Sequence, residues 1–182
     1  MTDAPIRFLL HPSPVGDVLI AGTDAGLVTL HPLRDPLGQE QERLSRALHT
    51  VLEHVDDDPR LTTAARQLDE YFDGERHDFD LELDWRLVRG FTRAALEAVR
   101  GIPYGETAGY GDVAVLAGSP RAARAVGTAC ATTPFSIVVP VHRVVRADGS
   151  LGEYGGHPEV KEYLVELERA TLARETGRAA GE

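Results

Sequence analysis

The chain has 182 residues, 42% of them hydrophobic, and carries 29 acidic against 19 basic side chains for a net charge of −10, with a single cysteine. That apolar content supports one ordinary domain or two small ones, and a lone cysteine excludes a disulfide framework or a cysteine-built zinc cluster. No apolar run reaches the roughly 18 residues of a membrane span, and the start lacks a basic region, so a soluble, cytoplasmic protein with no membrane partner is expected.

From the start, Ile6 to Leu10, Val18 to Ala21 and Leu27 to Leu30 are short apolar runs separated by Pro12-Ser13-Pro14-Val15-Gly16-Asp17 and Asp24-Ala25-Gly26. Such runs between turn residues predict strands of an antiparallel meander. A loop follows over 33–39. The spacing of Leu44, Leu48, Val51, Leu52 and Val55 predicts a helix over 40–55, and that of Leu61, Ala65, Leu68 and Phe72 a second over 59–74. Phe79, Leu81, Leu83 and Trp85 then alternate with acids, which predicts a half-buried strand closing the small sheet. The histidines of this half, His11, His31, His49, His54 and His77, lack metal-ligand spacing, so no metal is expected.

A change of composition near 85–90 marks a domain boundary. Residues 1–85 carry 18 acidic and 7 basic side chains, whereas from Arg86 to Ala147 eight arginines face only Glu97, Glu106 and Asp112. Those arginines, Arg86, Arg89, Arg93, Arg100, Arg121, Arg124, Arg143 and Arg146, fit either a phosphate-binding surface or a solvated, salt-bridged face. Phe91, Ala94, Ala95, Ala98 and Val99 share one face of a helix over 90–101 that Gly101 ends. A short helix over 109–118 and a second from Arg121 to Ala131, with Ser119 as N-cap and Pro120 as first helical residue, read as a helix-turn-helix. The small residues Ala122, Ala123, Ala125 and Gly127 on the second helix fit either close approach to a duplex or packing against the core.

Three strings follow one another in order: IPYGETAGYGDVA from Ile102, RAARAVGTAC from Arg121 and PVHRVV from Pro140, with Tyr154-Gly155-Gly156 and Val160-Lys161-Glu162 beyond them. In order and spacing they resemble the DNA-binding domain of the O6-alkylguanine-DNA alkyltransferase family. The resemblance is strong over 86–170 and holds in outline over 1–85. It implies an α+β chain: a small ribonuclease-H-like domain with an antiparallel sheet over 1–85, a mostly helical, winged-helix-like domain over 86–170, and a polar tail over 171–182.

One position departs decisively. Family members carry, between this proline and histidine, a cysteine that accepts the alkyl group, and here that residue is Val141, which has no nucleophilic atom. The resemblance assigns His142 and Glu168 to the base and orienting carboxylate that make the cysteine a thiolate. Arg124 matches the arginine that fills the space a flipped guanine leaves, and Tyr110 the tyrosine that turns its phosphate outward. Arg121, Ala123, Gly127 and Arg143 join them as DNA-binding residues, and Tyr154, Val144, Gly155 and Gly156 as the base pocket. Thr133-Pro134 replaces the family's usual Asn-Pro, and His157-Pro158 alters the pocket loop. Cys130, at the end of the second helix, reads as structural.

The resemblance then implies a protein that binds double-stranded DNA carrying O6-alkylguanine, flips the base, transfers nothing and hands the lesion to a repair partner. Two alternatives stand beside that sensor: an alkyltransferase whose acceptor has been replaced by Val141, and a DNA-binding or regulatory module that has lost lesion recognition. No cofactor is implied.

Overall fold

The computed structural model describes residues 5–179. The chain forms two compact units, one ending at Arg89 and taking in Pro134–Ser136, the other made of Gly90–Thr133 and the chain from Ile137 onwards.

In the first unit, β1 (Ile6–His11), β2 (Val18–Thr23) and β3 (Gly26–Pro32) form the expected meander, with Leu9 opposite Ile20 and Ile20 opposite Leu30. Helix α1 (Leu37–Leu48) starts inside the expected loop and stops short of the expected end, because His49 turns left-handed at φ 53°. Leu52–His54 then form β4, a strand parallel to β1 where a helix was expected, so the sheet order is β3-β2-β1-β4. The apolar spacing of Leu52 and Val55 fits a helix turn, but the Val55 N–H is satisfied by the Phe8 carbonyl at 2.9 Å. Helix α2 (Pro59–Phe72) opens on Asp58, whose side chain accepts the Arg60 N–H. Ile6, Phe8, Leu19, Ala21, Val28 and Leu44 are the buried centre of this unit.

The strand expected over Phe79 to Trp85 does not form. A single bridge joins Leu83 to Leu27, held by Leu27 N–H to the Glu82 carbonyl at 2.9 Å and Asp84 N–H to the Leu27 carbonyl at 2.7 Å. The Asp84 carboxylate accepts from Thr23 Oγ1 and the Arg86 N–H, which turns the chain off the edge into a 3-10 turn, Trp85–Leu87. Pro134 and Phe135 complete the unit: the Pro134 carbonyl accepts from the Leu30 N–H and Thr29 Oγ1, and Phe135 meets the edge of Trp85.

The second unit begins with α3 (Gly90–Arg100), which buries Ala95, Leu96 and Val99 and ends before Gly101. Leu96 belongs to that face and was absent from the expected set. Residues β5 (Ala108–Gly109) pair in parallel with β6 (Val144–Val145). Helix α4 (Tyr110–Leu116) is short, with the Asp112 carboxylate taking the Gly109 N–H at 3.0 Å.

Helix α5 (Ala123–Thr132) starts two residues later than expected, and Ser119 is not its cap. Instead Ser119 to Ala122 form a turn closed by the Ala122 N–H on the Ser119 carbonyl at 2.9 Å, with Pro120 at the position where its fixed φ suits a turn. The expected tail is also corrected. Helix α6 (Pro158–Ala179) runs straight through 171–179, where Ala, Leu, Arg and Glu are good helix formers, and Thr171 is buried. Residues 180–182 lie outside the described residues, and among the described residues no helix is long and apolar enough to cross a membrane.

Gly26 offers a direct test of the packing in the first unit. Its φ is +133°, and a Cβ there would lie 2.6 Å from the Glu82 carbonyl oxygen, where nothing can yield without breaking the Leu27 to Leu83 bridge. Gly26→Ala is expected to cost about 1–3 kcal/mol, read as a lower midpoint in urea unfolding.

Candidate nucleic-acid interface and base pocket

The apolar run Phe135 to Val139 is buried throughout, and it places the residues that follow. Ile137 adopts φ 76°, a left-handed conformation that a β-branched side chain resists, so the surrounding packing must hold the chain there. Val141, His142 and Arg143 form a 3-10 turn closed by the Arg143 N–H on the Pro140 carbonyl at 2.9 Å. All three side chains are buried, Val141 at 2% exposure and His142 at 0%.

One carboxylate gathers this turn. Glu168 on α6, 1% exposed, accepts from His142 Nε2 at 2.7 Å, from Arg143 Nε at 3.0 Å and Nη2 at 2.9 Å, and from the Gly105 N–H at 2.8 Å. Arg143 also donates through Nη1 to the Ile102 carbonyl at 2.6 Å, and its guanidinium lies 5.5 Å from the centre of the Tyr104 ring. Gly105 sits at φ +76° against the end of the Leu172 side chain, which would have to move to admit a Cβ.

Burial alone would raise the Glu168 pKa, but the hydrogen bonds from His142 and Arg143 hold it down to about 2. His142 is pushed below its ordinary value by burial, against the opposing hydrogen bond to Glu168. The charged pair at neutral pH is therefore Arg143 with Glu168, and His142 is a neutral imidazole whose Nε2–H points at the carboxylate. That leaves the Nδ1 lone pair to act as a base. At Val141 there is no proton for it to take.

The structure thus places Val141 and His142 on one 3-10 turn and hydrogen-bonds His142 to Glu168. It removes Arg143 from the DNA-binding set, because a 5% exposed guanidinium committed to Glu168 and Ile102 is not available to a phosphate. The arginine-rich stretch shrinks further: Arg93 pairs with Glu97 at 2.9 Å and Arg86 with Asp84 at 2.7 Å. Arg121 and Arg124 are exposed beside the start of α5 and make no ion pair among the described residues. Ala123 is half-buried, and Gly127 faces Tyr110, since a Cβ there would sit 3.9 Å from Cε1 of that ring. Val144 and Tyr154 are buried, while Gly155 and Gly156 lie in the loop before α6.

In the sequence, Lys161 stands out only as part of Val160-Lys161-Glu162. It is 1% exposed, donates from Nζ to the Val144 carbonyl at 2.5 Å and lies 5.9 Å from the centre of the Tyr110 ring. It is the only lysine against 18 arginines, and that substitution of type was the available signal. Cys130 lies on α5, and burial pushes its thiol up to about 12, so it holds its proton at neutral pH.

Two family models match the chain. One, 6-O-methylguanine DNA methyltransferase, DNA binding domain, covers residues 90–170, and the other, its ribonuclease-like domain, covers residues 6–85. A methylated-DNA--protein-cysteine methyltransferase of Mycolicibacterium paratuberculosis is 42% identical over 165 residues, 90% of this chain and 93% of that protein. One from Methanosarcina barkeri is 36% identical over 160 residues, covering 88% and 95%. The crystal structure of Mycobacterium tuberculosis O6-methylguanine methyltransferase superposes with a TM-score of 0.75 at 37% identity over 91% of this chain and 94% of that one. The same organism's protein in complex with DNA gives 0.73 at 37% identity, over 92% and 94%.

The Glu168 network sets a pH dependence. Both folded-state values are depressed, so both groups bind protons more readily in the unfolded chain, and their stabilisation is complete only above about pH 6.5. It declines as pH falls, the Glu168 share being lost between about 4.5 and about 2. Glu168→Gln leaves Arg143 buried without its counter-charge and is expected to cost about 3–5 kcal/mol at pH 7 in urea unfolding, with a flatter acid limb.

Proposed function

This chain belongs to the 6-O-methylguanine DNA methyltransferase family, and from that membership we propose that it binds DNA and holds O6-alkylguanine at Val141 without accepting the alkyl group. The observation that carries this reading is the ordered His142, Arg143 and Glu168 network around a residue that cannot react. An alkyltransferase whose acceptor has been replaced is the better description than a dedicated lesion sensor. The relatives that carry the transferase name match both units of the chain.

In the family's reaction a cysteine thiolate attacks the alkyl carbon, a carbon–sulfur bond forms as the carbon–O6 bond breaks, and the released guanine takes a proton. Here the bond-forming atom is absent while the base and its carboxylate remain. The isopropyl group of Val141 makes that wall of the pocket apolar. Contact with a short alkyl group is worth about 1–2 kcal/mol for one or two buried methylenes.

Helices α4 and α5 form the helix-turn-helix in this reading. Exposed Arg121 and Arg124 face the duplex, Arg124 fills the space left by the flipped base, and Tyr110 turns the nucleotide's phosphate. The buried Tyr154 and the backbone of Val144, Gly155 and Gly156 receive the guanine. Because binding leaves no covalent product, it is reversible.

The test pairs the protein with Val141→Cys on a duplex carrying one O6-methylguanine, scoring selective binding and methyl transfer to protein. The expected result is lesion-selective binding by both forms and transfer by the cysteine form alone. Methylation of the Val141 form would overturn the chemistry, and equal affinity for plain and lesion duplexes would show that the pocket no longer recognises its base. Arg124→Ala is expected to weaken lesion binding by about tenfold or more, through loss of the group that replaces the flipped base in the stack.

A further inference from the structure

We infer that Arg146, the Tyr110 hydroxyl and the backbone at Gly152 form a subsite for one DNA backbone phosphodiester, next to the base pocket of the second unit. The inference rests on the DNA-binding reading above and assigns a contact that reading does not contain. Three observations carry it.

First, Arg146 is an exposed cation with no ion pair among the described residues. Its backbone is nevertheless fixed, because it opens a tight hairpin: its N–H donates to the Ser150 carbonyl and its own carbonyl accepts from the Gly149 N–H, both at 2.9 Å. A side chain carried on a hydrogen-bonded backbone loses less freedom on binding than one on a mobile loop.

Second, the side chain lies against the tyrosine that the reading places on the nucleotide's phosphate. A Cβ built on Gly152 would be 3.2 Å from the Tyr110 hydroxyl and 3.6 Å from Arg146 Nε, so both donors converge over a bare stretch of backbone at φ +51°. A planar guanidinium beside a hydroxyl donor suits the oxygens of a phosphodiester. Burial raises the Tyr110 pKa, so the hydroxyl remains a donor at any working pH.

Third, two cations, Arg146 and Lys161, face two carboxylates around the Tyr110 ring, so an incoming anion meets no net negative charge. Lys161 approaches the same ring from the buried side. The two carboxylates nearby are Asp148, already taken by the Ser150 N–H at 3.0 Å and Oγ at 2.7 Å, and exposed Glu153. Arginine at this position therefore gives the pocket's rim a cation that Arg143, being buried, does not supply.

The experiment is a cycle between protein and DNA. Duplexes carrying one O6-methylguanine receive a neutral methylphosphonate at a single position, stepped through the phosphates flanking the lesion, and affinities are measured for the wild type, Arg146→Ala and Tyr110→Phe. At one flanking position the wild type is expected to lose about tenfold or more, the range of a charge-assisted hydrogen bond, while Arg146→Ala loses little further. Arg146→Ala should also lower the salt slope of binding by about 0.9, as for one phosphate contact. If Arg146→Ala keeps the full wild-type penalty at every position, the subsite is overturned and the DNA-binding reading stands. If the wild type does not prefer the lesion, that reading loses its pocket, and the same cycle on plain duplex judges the subsite; absence of DNA binding overturns both.

Discussion

The Glu168 carboxylate receives hydrogen bonds from three residues on two stretches of the second unit: Gly105 in its loop, and His142 and Arg143 in the 3-10 turn. A buried carboxylate without donors would be among the most destabilising features a protein of this size could carry. With its oxygens occupied it becomes the point from which the base, the turn and α6 take their positions. Arg143 supplies the charge balance, and this is why it sits inside rather than on the surface. Loss of nucleophilic chemistry at Val141 does not relax any of these demands, because each is a demand of folding.

That division explains how the turn and its carboxylate keep their shape with valine at position 141. The imidazole of His142 is held by a carboxylate that must be satisfied whether or not a thiol is present, and Val141 is a small apolar side chain in a place already screened from water. Valine adds volume and removes a weakly polar atom, a change that a buried apolar wall tolerates. The same logic separates cations left at the surface from a cation built into the wall: Arg121, Arg124 and Arg146 are exposed without ion pairs among the described residues, whereas Lys161 donates to the Val144 carbonyl.

Local signals served well where the local sequence decides the outcome. The apolar runs and turn residues of 6–32 give the meander, and Gly101 ends α3. They failed where a distant partner decides. Leu52–His54 have helical spacing but are captured by β1, the alternating residues before Trp85 meet only one partner at Leu27, and Ser119 is spent on a turn before it can cap α5. Arg143 was misplaced for the same reason: its charge is visible in sequence, while the carboxylate that buries it lies 25 residues away. Residues 171–179 read as a tail because charged helices and charged tails share a composition, and the packing of Thr171 and Leu172 is not a property of composition.

Cys130 has a practical consequence. The chain's one thiol is partly buried on α5 and keeps its proton to about pH 12, so at neutral pH it contributes almost no thiolate. A cysteine engineered at an exposed site would therefore take up a thiol-directed reporter ahead of the native one, which burial keeps protonated.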